Sequence, residues 1–226
     1  RQKKNIKYII IHYTGMKNEL SALNRLIDHM SKVSAHYFIK KNGEVINLVP
    51  DLYEAWHAGK SNWKNIQSLN RYSIGIEIQN SGHENFYEKF SKKQINSVKK
   101  LLRFLIKRYR VNCKNILGHS DIAPNRKKDP GEKFPWKELA KVKLAQWHRL
   151  NEKELIKYRL KKISFLEEKK FFINLYKIGY SKVRSKGCID KKRLLITAFQ
   201  RRYRQGLVNG ISDQECLILS KNLAKS

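Results

Sequence analysis

Residues 6–13 hold an apolar run, Tyr8-Ile9-Ile10-Ile11, that is rich in β-branched isoleucine and stops on His12. A continuous run of this length and composition predicts a buried strand, and a buried strand requires a sheet. Further elements follow along the chain. Leu20, Leu23, Leu26, Ile27 and Met30 recur at helical spacing over 20–31. Residues 35–39 and 44–49 are strand-like and flank Lys41-Asn42-Gly43, and Asn-Gly between two such runs signals a hairpin. Residues 50–72 read as a long loop, and loops of that length are usually functional. Residues 73–79 predict another strand. Ser91 caps a helix to about Arg110 with the stripe Ile95, Val98, Leu101, Leu102, Leu105, Ile106 and Tyr109. The short run Asn115-Ile116-Leu117 then leads into a polar loop. Strands alternating with helices give an α/β fold, a central mixed sheet flanked by helices.

Near 140–165 the strand signals end and Lys/Glu-rich helical patterns take over. Residues 165–180, 191–205 and 212–224 predict three helices, with Gly187, Gly206 and Asn209-Gly210 as breakers. The domains are therefore expected at 1–150 and 165–226, with a linker helix over 151–164. Since every candidate catalytic residue precedes Gly131, the first of these is expected to stay active without the second.

The 226 residues carry 49 Lys+Arg against 19 Asp+Glu, a formal charge of +30. Such a field attracts polyanions. The excess is spread evenly, 30 basic against 12 acidic residues over 1–149 and 19 against 7 beyond. That argues against a dedicated nucleic-acid footprint. No apolar run approaches the ~20 residues of a membrane helix. Cys113, Cys188 and Cys216 contain no CxxC pair, so a disulfide framework and a Cys-based zinc knuckle are excluded, while a single bridge such as Cys188–Cys216 stays open.

The chemistry-bearing stretch is Gly118-His119-Ser120-Asp121 through Lys127-Lys128-Asp129-Pro130-Gly131. With His12 at a strand exit and Glu77 inside the run Ile74-Gly75-Ile76-Glu77-Ile78, it contains the parts of an open zinc site. His12, His119 and Asp129 are the expected ligands; three protein ligands leave a fourth position for water, whose pKa zinc lowers to about 7. Spacing by itself leaves a packing role open for His12, which lies far from His119 in the chain.

Five ordered motifs carry a resemblance: Ile11-His12-Tyr13-Thr14, Ala35-His36-Tyr37, Trp56-His57-Ala58-Gly59, Ser73-Ile74-Gly75-Ile76-Glu77, and the His119–Gly131 stretch. Residues 6–140 resemble the type 2 N-acetylmuramoyl-L-alanine amidases, the zinc family that includes phage lysozymes and peptidoglycan recognition proteins. The resemblance implies hydrolysis of the amide between N-acetylmuramic acid and L-alanine, in cell-wall turnover or recycling. It implies one zinc held by His12, His119 and Asp129, with Asp129 in the bacterial form of the third ligand where phage members have Cys. It also implies Glu77 as proton shuttle and Lys127 as the catalytic lysine. Ala35 stands where phage members carry a catalytic Tyr, which adds weight to Glu77. His36 and His57 fall at positions comparable to those with which family members contact substrate. Asn80 is a further candidate contact, and Trp56 and Trp63 suit stacking on sugar or peptide and core packing equally. Asp121 is expected as a turn residue or a support of the ligands.

Residues 171–223, with Ala198-Phe199-Gln200 and Asn209-Gly210-Ile211-Ser212-Asp213, resemble the three-helix peptidoglycan-binding domain of wall hydrolases. The two parts together resemble two-domain amidases of Gram-negative envelopes. The implied partners are peptidoglycan and muropeptides, the implied state a monomer and the implied location the periplasm or outer membrane, with cytoplasmic muropeptide recycling as the alternative. An envelope anchor would lie before Arg1.

Overall fold

The computed structural model describes residues 1–182 and 189–225. Gly187 and Cys188, and with them the Cys188–Cys216 bridge, lie outside the described residues. The elements in chain order are β1 (Tyr8–Tyr13), α1 (Glu19–Ile27), β2 (Tyr37–Ile39), β3 (Val45–Asn47), β4 (Asn62–Trp63), β5 (Ile66–Gln67), β6 (Ser73–Ile78), α2 (Lys92–Tyr109), β7 (Ile116–Gly118), α3 (His119–Ile122), α4 (Trp136–Lys141), α5 (Glu152–Leu155), α6 (Phe165–Ile178), α7 (Ile189–Tyr203) and α8 (Gln214–Lys225). The main sheet has the order β3-β2-β6-β1-β7. β1 lies parallel to β6 and β7, β2 parallel to β6, and only β3 runs antiparallel. This is the mixed sheet flanked by helices that the pattern predicts.

Strand side chains alternate between faces, and here the alternation separates scaffold from site. Ile9, Ile11, Ile74, Ile76 and Ile116 face α2 and α4, where they meet Val98, Leu102, Leu105 and Trp136. α2 starts at a reciprocal cap: Ser91 Oγ accepts from Gln94 N at 3.1 Å and Gln94 Oε1 from Ser91 N at 3.0 Å. Tyr8, Ile10 and Leu117 point to the opposite face and pack with Phe171, Leu175, Leu195, Phe199 and Leu219 of the helical segment. His12 follows Ile10 on that second face, beyond the helices' cover.

Three elements differ from expectation. The linker, read as a helix over 151–164, is α-helical only over Glu152–Leu155, followed by a single 3-10 turn at Ile156–Tyr158 and irregular backbone. The 50–72 loop contains the small hairpin β4–β5, which seats Trp63 in the core. α1 forms where its periodicity places it, yet only Ala22 is buried; Leu20, Ile27 and Met30 are 62–72% exposed. The helix lies along the rim of a cleft and has no layer outside it to take up its apolar stripe. No described helix is long and apolar enough to cross a membrane.

Candidate active site

Parallel strands end on one edge of the sheet, and in open α/β sheets ligands bind beyond those carboxyl ends. Three functional segments arrive there. His12 lies near the end of β1, directly beside Glu77 on β6 in the parallel register. β7 ends at Gly118 and runs straight into α3, whose first residue is His119. The loop after α3 is folded back by a hydrogen bond from Ser120 N to Asp129 O, 2.8 Å. That bond brings Asp129 level with His119.

The result is a buried cluster of three ligand-type atoms. His12 Nδ1 lies 2.9 Å from His119 Nδ1 and 3.0 Å from Asp129 Oδ2, and His119 Nδ1 lies 3.1 Å from the same carboxylate oxygen. These side chains are the group among the described residues arranged to hold a metal ion.

The outward nitrogens fix which ring atoms face the cluster. Ser73 Oγ donates to Leu69 O (2.7 Å), so it accepts from His57 Nε2 (3.2 Å). His57 Nδ1 then accepts from His12 Nε2 at 3.0 Å, which leaves the His12 Nδ1 lone pair turned inward. His119 Nε2 donates to Ala58 O at 3.2 Å, with the same consequence. Burial pushes His12 down to about 4, and His57 well below the usual imidazole value, so both rings are neutral near pH 7. For Asp129, burial alone would favour the protonated acid, but the two imidazoles overcome it and hold the carboxyl well below its usual range. Two inward lone pairs and a carboxylate are a donor set that suits a divalent cation such as zinc.

Glu77, Lys127, His119, Asp129, Arg25 and Trp56 line a cleft of about 340 Å³. Glu77 Oε2 is buried and has no hydrogen-bond partner. Burial, reinforced by the charge of Asp129, raises its pKa to about 8, against the pull of Lys127 and Arg25. A cleft carboxyl with one buried, unpaired oxygen and a raised pKa is a candidate acid–base group. Lys128, next to Lys127, also reaches the cleft wall, and its amine pairs with Glu84 at 2.6 Å. A larger hollow of about 720 Å³ beside Lys60 and Lys191 contains none of the clustered groups.

Three residues expected to contact substrate spend polar atoms within the protein. His36 is fully buried, with Nδ1 accepting from Gly75 N at 3.0 Å and Nε2 near Tyr53 O and the Arg1 guanidinium, so it lies behind the cleft wall. Asn80 is spent on its own loop, donating to Glu88 O and accepting from Gly82 N, each 3.0 Å. His57 lines the cleft floor, and both its nitrogens are engaged within the protein, so it orients His12. Trp56, 54% exposed, stands at the rim and is free to stack, whereas Trp63 is core.

Other residues were missed in sequence. Gly75 leaves room for the His57 ring: a Cβ there would lie 2.4 Å from His57 Cγ. Arg126 holds the Ala58 and Lys60 carbonyls beneath His119. Neither gives a local pattern, because each acts across the fold.

The family model described as N-acetylmuramoyl-L-alanine amidase matches residues 2–132. The N-acetylmuramoyl-L-alanine amidase AmiD of Escherichia coli K12 is 33% identical over 230 residues, 96% of this chain and 82% of its own length. The 1,6-anhydro-N-acetylmuramyl-L-alanine amidase AmpD of the same organism is 40% identical over 105 residues, 46% of this chain and 55% of its own. Among solved structures, E. coli AmiD in complex with its substrate anhydro-N-acetylmuramic acid-L-Ala-D-γ-Glu-L-Lys superposes with a TM-score of 0.86 at 32% identity, covering 98% of this chain and 89% of that one. AmpDh3 of Pseudomonas aeruginosa also gives 0.86, at 28% identity over 98% of this chain and 92% of its own.

Proposed function

This chain belongs to the N-acetylmuramoyl-L-alanine amidase family, and from that premise we propose that it hydrolyses the amide joining N-acetylmuramic acid, or its 1,6-anhydro form, to the L-alanine of the stem peptide. The observation that carries the reading is the convergence of His12 Nδ1, His119 Nδ1 and Asp129 Oδ2 beside Glu77, whose Oε2 is buried without a partner. We assign the metal as one Zn²⁺ per chain, held by those three side chains. When bound, zinc supplies Lewis acidity toward the amide carbonyl and makes a water acidic enough to attack near neutral pH.

The chain's own groups supply the rest. Glu77, as the carboxylate, takes a proton from the attacking water and returns it to the departing amine. Lys127 offers positive charge to the carbonyl oxygen as it becomes anionic; one such donor is worth about 3–4 kcal/mol in other enzymes. Trp56 offers an aromatic face to sugar or peptide at the cleft mouth. Residues 165–226, joined through 151–164, are assigned as the peptidoglycan-binding-like helical part of the enzyme. The likeness to an amidase solved with an anhydromuropeptide supports a muropeptide substrate. An envelope location is the corresponding proposal, and cell fractionation tests it: recovery with the cytosol would assign the enzyme to internal recycling.

The deciding experiment digests purified peptidoglycan with the zinc-loaded chain and weighs the fragments. Free stem peptides beginning at L-alanine, together with peptide-free glycan, are expected. Fragments cut within the glycan or within the peptide would overturn the assignment. D129A is expected to lose zinc and turnover together; full zinc occupancy with parental turnover would remove Asp129 from the ligand set.

A further inference from the structure

The last turn of α7 and the two residues after it grip the segment that carries two of the three proposed ligands. Arg202 is 2% exposed, inserted between Trp136 and the end of β7, with its guanidinium 4.0 Å from the Trp136 ring. Its Nη2 donates to Ile116 O at 2.9 Å and its Nη1 to Asp121 Oδ2 at 2.8 Å. Asp121 is 1% exposed; the same oxygen accepts from Gly118 N at 2.8 Å, and Oδ1 accepts from Tyr180 OH at 2.7 Å. Asp121 is thereby fixed across the start of α3, a helix of four residues whose first is His119. On the other side of Asp129, Arg201 Nε lies 3.6 Å from Glu132 Oε2 and Gln205 Nε2 donates to Phe134 O at 2.7 Å.

The contacts from α7 therefore land at 116, 121, 132 and 134, and His119 and Asp129 lie inside that span. Between them the chain has only the short α3 and irregular backbone, tied across by the Ser120 N–Asp129 O hydrogen bond. A module that merely tethers the enzyme to a polymer has no need for an ion pair buried in its neighbour; contacts between separable domains are typically polar and accessible.

We propose that α7 of the helical segment is a positioning element of the amidase site, with Arg202 as the residue that holds α3, and so His119, in place for metal binding. Arg202 touches neither substrate nor metal; it acts through Asp121. The proposal rests on the zinc reading above. It reverses the separability expected from sequence, since residues 1–150 alone would lack the grip.

The test uses the full chain and zinc alone as the probe. Zinc affinity is measured by chelator competition for the parent, R202M, R202K and H119A, beside kcat and KM on a soluble muropeptide. For R202M with native near-ultraviolet dichroism, zinc affinity is expected to fall about 10–100-fold, the loss usual when a group orienting a ligand is removed. Turnover should fall with KM within about twofold of the parent, and R202K, which keeps the charge beside Asp121, should restore most of the zinc affinity. A purely structural Arg202 would lower thermal stability but leave zinc affinity unchanged in the folded chain; affinity and kcat within twofold of the parent overturn the proposal. Should R202M fail to fold, R201Q/Q205A decides, because it leaves the buried Asp121 pair intact: weakened zinc affinity is expected, and parental affinity overturns the proposal. H119A separates the two readings. If the parent binds no zinc, or H119A binds it as the parent does, the metal assignment fails; if only the Arg202 variants behave as the parent, the positioning role fails alone.

Discussion

Glu77 concentrates two properties that oppose each other in stability and cooperate in chemistry. Its carboxyl sits beside His12, one oxygen has no partner, and burial raises its pKa to about 8. In the zinc-loaded enzyme, E77Q should keep fold and metal while turnover falls by about 10²–10⁴, the range of a lost general base. A loss under tenfold at saturating substrate would mean that another group moves the proton. In the metal-free chain the same carboxyl predicts a pH effect. The native state holds a proton that the unfolded chain releases above about 4.5, so native stability should decline as pH rises from there to about 8. Below about 4.5 the group is protonated in both states and contributes nothing. His12 works in the opposite direction: neutral in the fold and protonated when unfolded, it withdraws stability as pH falls from 6.5 to about 4. Denaturant titrations with chelator present should show the stability gain of E77Q over the parent growing with pH across the Glu77 window. A pH-independent difference would refute the raised carboxyl.

At the scale of elements, β6 is a strand whose two faces do different work. Ile74, Ile76 and Ile78 build the core, while Ser73, Gly75 and Glu77 support and supply the site. Gly75 is the vulnerable member. G75A would press a methyl into the His57 ring, and His57 is what turns the His12 lone pair inward. Overpacking of this kind typically costs about 1–3 kcal/mol. The further expectation is weaker zinc binding, because the ring that yields is the one orienting a ligand. Isothermal titration of zinc into G75A and parent checks this; equal affinities would show that His57 moves without disturbing His12. α1 marks the limit of pattern reasoning for elements: its periodicity is real, but periodicity does not say whether a neighbour exists to bury the stripe.

Across the whole molecule, the helical segment and the sheet share one apolar layer, in which Tyr8, Ile10 and Leu117 meet Phe171, Leu195 and Phe199. The motif residues of that segment serve its own fold: Gln200 Oε1 accepts from Asn209 N at 3.0 Å and Gly210 N at 2.8 Å, and Asp213 accepts from Cys216 N at 2.9 Å. A shared core with a buried Arg202–Asp121 pair across it should make the chain unfold as one unit, so calorimetry should show a single transition. F199A, a change of a type that costs about 3–5 kcal/mol, should lower that one transition throughout. Two resolved transitions, with F199A moving only one, would show that the halves are independent.

Much of this was legible in the residues. Periodicity placed β1, β2, β6, β7, α2 and the three C-terminal helices, because burial on one face imposes a repeat that a single chain displays. Ordered motifs singled out His12, His119, Asp129, Glu77 and Lys127, because the groups proposed to act together were kept as recognisable types in a fixed order. The rest depended on contacts between residues far apart in the chain, which leave no repeat and no spacing. His36 and Asn80 kept motif positions yet turned into the scaffold; His57 gave both nitrogens to the protein; Gly75 mattered for the ring it admits; Arg202 looked like one cation among 49 Lys and Arg until the fold buried it against Asp121. Sequence determines which groups are available and which elements carry them. Only the tertiary structure decides which polar atoms remain unspent, because a hydrogen bond made inside the protein removes a side chain from the site as surely as its absence would.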